Sequence, residues 1–95
     1  MDPLWKLISG QFAGWRVGEH FYDAKGRNAG FFRGEVLYAL NGEYLAEVQD
    51  GEWIGRQRNR KLPSVKGRSS RGSVRSVPRA NRSGRPSKIY IDPEI

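Results

Sequence analysis

The phrase Gly18-Glu19-His20-Phe21-Tyr22 is repeated as Gly34-Glu35-Val36-Leu37-Tyr38 and, more loosely, as Gly51-Glu52-Trp53-Ile54-Gly55. The copies start 16 and then 17 residues apart. Turn-forming pairs lie between them, Lys25-Gly26 in the first interval and Asn41-Gly42 in the second. Short repeats that are punctuated by Gly and rich in Phe, Tyr, Val and Leu are typical of consecutive β-hairpins. The sequence therefore predicts an all-β fold.

We expect an antiparallel meander of about five short strands, at residues 16–24, 27–33, 35–40, 43–49 and 52–56. Asn41-Gly42 is predicted to be a two-residue turn with positive φ at both positions. Asp2-Pro3 is a typical start for a helical turn, so residues 1–14 are predicted to form a short helical lid. Residues 15–56 then form the hairpin-repeat domain, residues 57–87 a basic arm, and residues 88–95 a C-terminal strand.

Both faces of this predicted sheet are apolar. Alternation from the Asn41-Gly42 turn places one set of side chains on one face: Leu37, Ala39, Tyr44, Ala46 and Val48. The other face carries Val36, Tyr38, Leu40 and Leu45. In the first hairpin, one face carries Phe21, Gly30 and Phe32, and the opposite face carries His20, Tyr22, Ala29 and Phe31. A solvated antiparallel sheet would alternate apolar with polar residues. The sheet is therefore expected to close on itself or to pack against another copy.

The charge is divided along the chain. The chain of 95 residues has a net charge of +7. Residues 1–55 carry five Lys or Arg and eight Asp or Glu, whereas residues 56–88 carry twelve Lys or Arg and no acid. The second segment is rich in Arg, Ser, Gly and Pro, a composition that cannot bury enough apolar surface to order itself. It ends in the strand-like sequence Ile89-Tyr90-Ile91, which indicates a tether that delivers a strand to a sheet edge.

Several classes of function have no sequence signal. There is no Cys, hence no disulfide or thiolate metal site. The N-terminus lacks the features of a signal peptide, and no apolar run reaches the roughly 18 residues of a membrane span. We expect a cytoplasmic, non-enzymatic protein without a metal or cofactor. His20 is the single histidine and is interpreted as packed, and the repeated Glu19, Glu35 and Glu52 are interpreted as rim residues.

Two sets of residues are candidates for interactions. The candidate oligomer interface comprises Val36, Tyr38, Leu45, Tyr22, Phe31, Ile89, Tyr90 and Ile91. The candidate polyanion-binding set comprises Arg56, Arg58, Arg60, Lys61, Lys66, Arg68, Arg71, Arg75, Arg79, Arg82, Arg85 and Lys88. A weaker hypothesis is an aromatic stacking platform for single-stranded nucleic acid, formed by Tyr22, Tyr38, Phe31, Phe32, Trp15 and Trp53.

Residues 37–54 and the earlier stretch 21–29 carry a family resemblance. Each shows an aromatic residue, a Gly turn and a small residue at similar offsets, and residues 50–54 add an acidic-Gly-x-Trp-Ile phrase. Over residues 20–56 the chain resembles the four-fold β-flower domains of small bacterial proteins. The resemblance implies petal-like hairpins in a tetramer or in a pseudo-four-fold monomer. It implies no activity and no functional residues.

Two functional hypotheses follow from the residues. In the first, the protein is a structural or interaction module that self-assembles, with a tetramer favoured, and its basic arm laces subunits together. In the second, the arm binds nucleic acid without sequence specificity. The two hypotheses differ in whether the arm's arginines meet acidic residues of another chain or line an open surface.

Overall fold

The chain forms a closed barrel of seven short strands. In the computed structural model, which describes residues 1–75 and 77–95, the strands are β1 (Asp2–Lys6), β2 (Phe12–Val17), β3 (His20–Asp23), β4 (Asn28–Arg33), β5 (Val36–Ala39), β6 (Tyr44–Gln49) and β7 (Trp53–Gln57). They pair antiparallel in chain order, and β1 also pairs with β7 in parallel, which closes the barrel. A short β8 (Tyr90–Ile91) pairs with the end of β7.

The all-β class is confirmed, whereas the predicted strand number and the N-terminal helical turn are wrong. The described residues contain no helix, and residues 1–14 contribute β1 and the start of β2. Leu4 packs in the barrel interior and the adjacent Trp5 in an outer cluster, which is the alternation of a strand. Without β1, the facing edges of β2 and β7 would expose unpaired backbone groups. Strand pairing therefore outweighs the helix-start signal of Asp2-Pro3.

The barrel interior contains one contiguous apolar cluster. Its buried members are Leu4, Ala13, Phe21, Phe32, Leu37, Ala46, Val48 and Ile54. Phe21, Leu37 and Ile54 occupy the same position in the three copies of the repeated phrase. The rings of Phe21 and Phe32 meet edge to face with centroids 6.1 Å apart. The repeat therefore supplies the core of the barrel.

Bulges in the β1–β2, β3–β4 and β5–β6 hairpins correct the predicted faces. In β5–β6, Leu37 pairs with Ala46 but Tyr38 pairs with Tyr44, so that Leu45 is the extra residue. Tyr44 consequently packs on the outside with Tyr38, and Leu45 packs against the interior cluster. The predicted placements of both residues were wrong because a bulge reverses the alternation beyond it. Ala13 and Ala29 are the extra residues of the β1–β2 and β3–β4 hairpins, so the three bulges lie at intervals of 16 residues.

The Asn41-Gly42 turn is longer than predicted. Ala39 N donates to Glu43 O (2.8 Å) and Gly42 N donates to Ala39 O (2.9 Å), which encloses a three-residue loop. Gly42 has a φ of 93°. Among the described residues, the non-glycine residue with positive φ is Asp50 and not Asn41. Positive φ at Asn41 was therefore a wrong prediction. The loop is a turn followed by a left-handed glycine, which suits a hairpin that carries a bulge.

The segment from residue 58 to residue 89, here called the strap, runs around the barrel and visits three hairpin loops. Val65 N donates to Gly42 O (2.9 Å), Val74 N to Gly26 O (2.8 Å), and Arg82 N to Gly10 O (2.7 Å). The strap thus reaches the β5–β6, β3–β4 and β1–β2 loops in reverse chain order. Backbone hydrogen bonds to defined partners order a segment whose composition alone predicts disorder.

A buried carboxylate anchors the start of the strap. Glu47 on β6 has a side chain that is 8% exposed and pairs with the Arg60 guanidinium. Gln57 Nε2 donates to the same carboxylate at 3.1 Å. A buried charge is tolerated when its partners compensate for lost hydration. The pair therefore ties the first residues of the strap to the barrel.

Replacement of Gly42 by Ala should destabilise the protein more than replacement of Gly34. Both glycines have positive φ, 93° and 59°, so both substitutions strain the backbone by about 1–2 kcal/mol. A Cβ at Gly42 would also overlap the Val65 carbonyl, whereas nothing lies within 4 Å of one at Gly34. The free energy of unfolding from denaturant titration measures the difference. Equal losses would contradict docking of the strap on this turn.

Replacement of Arg60 by Ala should cost about 1–3 kcal/mol of stability, because Glu47 then remains buried with one hydrogen-bond partner fewer. Adding Glu47→Gln to that variant should recover part of the loss, since it removes the uncompensated charge. The control is Arg58→Ala, which removes an exposed arginine two residues away. A double-mutant cycle on denaturant unfolding tests this, and no recovery in the double variant would refute the anchor.

Candidate functional site: a basic strap over aromatic side chains

The outer face of the barrel is aromatic and is covered within the same chain. One outer cluster contains Trp5, Leu7, Phe12, Trp15, Tyr22 and Trp53. Val74 of the strap and Tyr90 of β8 pack against it. A second cluster contains Phe31, Tyr38 and Tyr44, and strap residues Leu62 and Val65 pack against it. The second apolar face predicted from the sequence is therefore buried by the strap.

The candidate interface residues separate into two groups. Tyr22, Phe31 and Tyr38 are at most 8% exposed, and Val36 packs against the second cluster. These side chains are covered by their own chain, so the fold does not require another copy to bury them. Ile89 and Ile91 are different, since 61% and 37% of their surfaces are exposed.

The same burial contradicts the aromatic stacking platform. Trp15 and Trp53 are 6% exposed, and Phe32 lies in the barrel interior at 1%. Stacking requires an accessible ring face. Bases have no such face here, because strap arginines and apolar strap residues occupy the outer surface of the rings.

Strap arginines lie on aromatic rings and pair with carboxylates in the opposite loops. The Arg68 guanidinium lies 4.4 Å from the Phe31 centroid and 3.5 Å from the Glu19 carboxylate. The Arg82 guanidinium lies 3.4 Å from the Trp5 centroid and 3.0 Å from the Glu52 carboxylate. Each guanidinium therefore combines a cation–π contact with an ion pair, two modest interactions that fix its position.

The glutamates of the repeated phrase lie in three loops of the barrel, and they pair with arginines. Glu19 pairs with Arg68, Glu35 with Arg16 at 3.6 Å, and Glu52 with Arg82. Their backbone carbonyls accept hydrogen bonds from Phe32, Val48 and Trp5 respectively, at 2.7–2.9 Å. The third of these bonds belongs to the junction between β7 and β1. At this position of the repeat, the backbone carbonyl of each glutamate therefore hydrogen-bonds to a neighbouring strand.

The twelve candidate polyanion-binding cations fall into classes. Arg60, Arg68, Arg82 and Arg85 form ion pairs with carboxylates. Arg56 and Arg79 lie over Tyr44 and Trp15, at 5.2 Å and 5.5 Å from the ring centroids. Within the described residues, the other cations have neither an ion pair nor a ring contact, and all are exposed: Arg58, Lys61, Lys66, Arg71, Arg75 and Lys88. These side chains are available to an external anion.

Three clefts lie between the barrel and the residues after β7. One of about 310 Å³ is lined by His20, Asn28, Gly30, Phe31, Leu40, Arg68, Ser69 and Arg71. A second of about 420 Å³ is lined by Met1, Trp15, Arg75, Val77, Pro78 and Arg79. The third, about 620 Å³, has mixed charge and is lined by Glu43, Tyr44, Leu45, Arg56, Lys61, Leu62, Ser64, Ile91, Asp92 and Glu94. The first two clefts are therefore lined by strap cations and contain no carboxylate among their lining residues.

Tyr44 in the third cleft has a perturbed hydroxyl. Burial raises the pKa of Tyr44, and a backbone hydrogen bond from Gln57 opposes that increase. A phenol with the ordinary tyrosine pKa of about 10 is already neutral at pH 7, and the raised pKa of Tyr44 extends the neutral form to more alkaline pH. Burial of the neutral phenol therefore contributes fully to stability at neutral pH. This contribution is lost as the pH rises through the pKa of Tyr44 in the folded state.

His20 lies on β3 opposite Phe31 and is half-buried. Among the described residues, no group of three or more His, Asp or Glu side chains is arranged to hold a metal ion. No helix in the described part of the chain is long and apolar enough to cross a membrane. His20 lines the 310 Å³ cleft together with Arg68 and Arg71 of the strap, a neighbourhood that the sequence did not predict.

Comparison with known proteins agrees with this architecture. No curated protein and no solved structure matches the chain. A family model described as 4-fold beta flower protein matches residues 8–93, which include strands β2 to β8 and the strap. The chain therefore belongs to the 4-fold beta flower family.

Proposed function

We propose that the protein is a non-enzymatic module that binds nucleic acid without sequence specificity, through the outward-facing cations of the strap. The observation that carries this proposal is the set of exposed strap cations without an ion pair or a ring contact. Lys and Arg side chains in such a state can neutralise phosphates and release the counterions condensed on a nucleic acid.

The distribution of charge supports this proposal. The net charge is +7, and the acidic groups of the barrel are already engaged in part by four strap arginines. The excess positive charge is therefore carried by exposed strap residues. A surface with such an excess attracts polyanions at long range and loses that attraction as salt increases.

The state of the aromatic rings argues for phosphate contacts rather than base contacts. The outer aromatic side chains are buried beneath the strap. Contacts to phosphates position a protein on a nucleic acid without reading its sequence. We accordingly expect similar affinities for DNA and RNA of unrelated sequence.

Replacing Arg58, Lys66, Arg75 and Lys88 together by Gln should weaken binding and flatten its salt dependence. Each lost phosphate contact on duplex DNA reduces the log–log slope by about 0.9. Thermal stability should stay unchanged, since these side chains have no described ion pair or ring contact. Fluorescence anisotropy of a labelled duplex at several salt concentrations measures the slope.

The matched control replaces the four ion-paired arginines, Arg60, Arg68, Arg82 and Arg85, by Gln. The same charge is removed, but the melting temperature should fall because each substitution ends an ion pair, and three of them also end ring contacts. The proposal fails if the wild-type protein shows no salt-dependent binding, or if the unpaired set can be replaced without changing the slope.

A second candidate function, self-association, is favoured by the exposed side of β8. Ile91 in β8 and Ile89 in the bend before it are exposed, whereas Tyr90 between them packs inward. Exposed aliphatic side chains at the end of a sheet are suited to pairing with another copy. The homo-oligomer, and the tetramer in particular, stays a prediction.

The double substitution Ile89→Ser and Ile91→Ser should shift an oligomer towards the monomer, because it removes the apolar contact while leaving Tyr90 in place. Val77→Ser is the control, since Val77 is 78% exposed and lies outside β8. Sedimentation velocity at micromolar concentration gives the mass. A wild-type monomer would exclude this second candidate function, and it would leave the nucleic-acid proposal intact.

A further inference from the structure

The 310 Å³ cleft between the β3–β4 hairpin and the strap gathers several hydrogen-bond donors. Two guanidinium groups, an imidazole and a hydroxyl border it, from Arg68, Arg71, His20 and Ser69. Its remaining walls are Asn28, Gly30, Phe31 and Leu40, so no carboxylate is among the lining residues. A concave site of this kind favours an anion with several acceptor oxygens.

The backbone that carries the two arginines is held at both ends. Arg68 N donates to Leu40 O (2.7 Å), and Arg71 N donates to Asn28 Oδ1 (2.9 Å). Asn28 is 6% exposed, and its Nδ2 donates to the carbonyls of Phe21 and Gly30. Asn28 N also donates to Gly72 O (2.9 Å). A buried amide therefore fixes the short bridge from residue 68 to residue 71 over the cleft.

The two guanidinium groups differ in how they are occupied. Arg68 lies against Phe31 and pairs with Glu19, whose side chain is 73% exposed. Arg71 has no ion pair or ring contact among the described residues. One guanidinium is thus positioned by the barrel, and the other is available. Both arginines line the same cleft, and Arg presents donors in a planar fork that suits phosphate oxygens.

The other two clefts lack this combination. The 420 Å³ cleft has Arg75 and Arg79, but its other walls are the side chains of Met1, Trp15, Val77 and Pro78. The 620 Å³ cleft includes three carboxylates, from Glu43, Asp92 and Glu94, which repel an anion. The β3–β4 cleft is distinguished by cations and neutral donors together. The sequence offers one signal for it, because His20 replaces the Val36 of the next repeat.

We propose that this cleft binds a phosphate monoester, with the phosphate between Arg68 and Arg71 and with His20 and Ser69 as additional donors. Leu40 and Phe31 provide an apolar wall for the group that the phosphate esterifies. The ligand is either a free nucleoside monophosphate or the terminal phosphate of a nucleic-acid strand, since both present the same dianion. This proposal does not rest on sequence-independent binding along the strap.

Calorimetric titration with adenosine 5′-monophosphate, inorganic phosphate and adenosine tests the site. We expect the monophosphate to bind, phosphate alone to bind more weakly, and adenosine not to bind. Arg71→Gln should weaken monophosphate binding roughly tenfold or more, because it removes a charge-assisted contact. His20→Val should weaken it by a smaller factor, and the Val at position 36 indicates that the fold tolerates this side chain.

Arg33→Gln is the matched control, since it removes one exposed positive charge from β4 outside the cleft. Its monophosphate affinity should equal that of the wild type. Absence of monophosphate binding in the wild-type protein would overturn the proposal, as would equal losses in the Arg33 and Arg71 variants. Unchanged affinity in both Arg71→Gln and His20→Val would do the same.

Short oligonucleotides with and without a 5′-phosphate distinguish the two sources of the phosphate. Tighter binding of the phosphorylated strand, lost in Arg71→Gln, identifies a terminal phosphate as the ligand, whereas equal binding of both strands leaves the free monophosphate as the ligand. Failure of the two proposals is separable. If the wild-type protein binds the monophosphate but not the duplex, only the strap proposal is contradicted. If it binds the duplex but not the monophosphate, only the cleft proposal is contradicted.

Discussion

The backbone hydrogen bonds from the strap to the carbonyls of Gly10, Gly26 and Gly42 hold the structure in its observed state. A seven-stranded barrel of this size has an interior just large enough for one cluster of side chains, so its remaining aromatic residues must lie outside. Those residues need a cover, and the strap is that cover. Glycine at the loops lets the strap backbone approach closely, because a Cβ at Gly10 or Gly42 would overlap a strap carbonyl.

The cover also explains why an arginine-rich segment folds onto an aromatic surface. Arg side chains stack their planar groups on ring faces and extend to carboxylates beyond them, so they remain partly hydrated while the rings are shielded. Aliphatic residues would shield the rings but could not pair with the carboxylates, and Lys has no planar group to stack on a ring face. The acidic barrel and basic strap that the sequence shows as separate halves therefore complement each other within one chain. The cations left over from this matching are the ones that we propose to contact an external anion.

The sequence predicted the parts of the fold in which the repeat is well preserved. Strands β4 to β7 lie within one residue of their predicted bounds, whereas the predicted strand 16–24 runs through the Gly18-Glu19 turn that separates β2 from β3. Phe21, Leu37 and Ile54 share one offset in the repeat, and the structure shows that this offset is an interior position. β1 was missed because Asp2-Pro3 resembles a helix start, although Pro3-Leu4-Trp5 aligns with Val36-Leu37-Tyr38. The bulges were missed because a single sequence does not show which residue a pair of strands leaves unpaired.

The strap and its clefts were less predictable for a physical reason. Composition reports whether a segment can order itself, whereas the strap is ordered by partners far away in the chain. A weak signal exists in Val65-Lys66-Gly67-Arg68 and Arg82-Ser83-Gly84-Arg85, which are 17 residues apart. In both, the first and the last residue donate backbone hydrogen bonds to one hairpin loop. This 17-residue interval spans two loops, because Val74 contacts the loop at Gly26 between them. Strap residues 65, 74 and 82 are 9 and 8 residues apart, whereas the loop glycines 42, 26 and 10 that they contact are 16 residues apart. The strap passes from one loop to the next directly, whereas the barrel chain runs along two strands between neighbouring loops, so the strap needs about half as many residues for each loop.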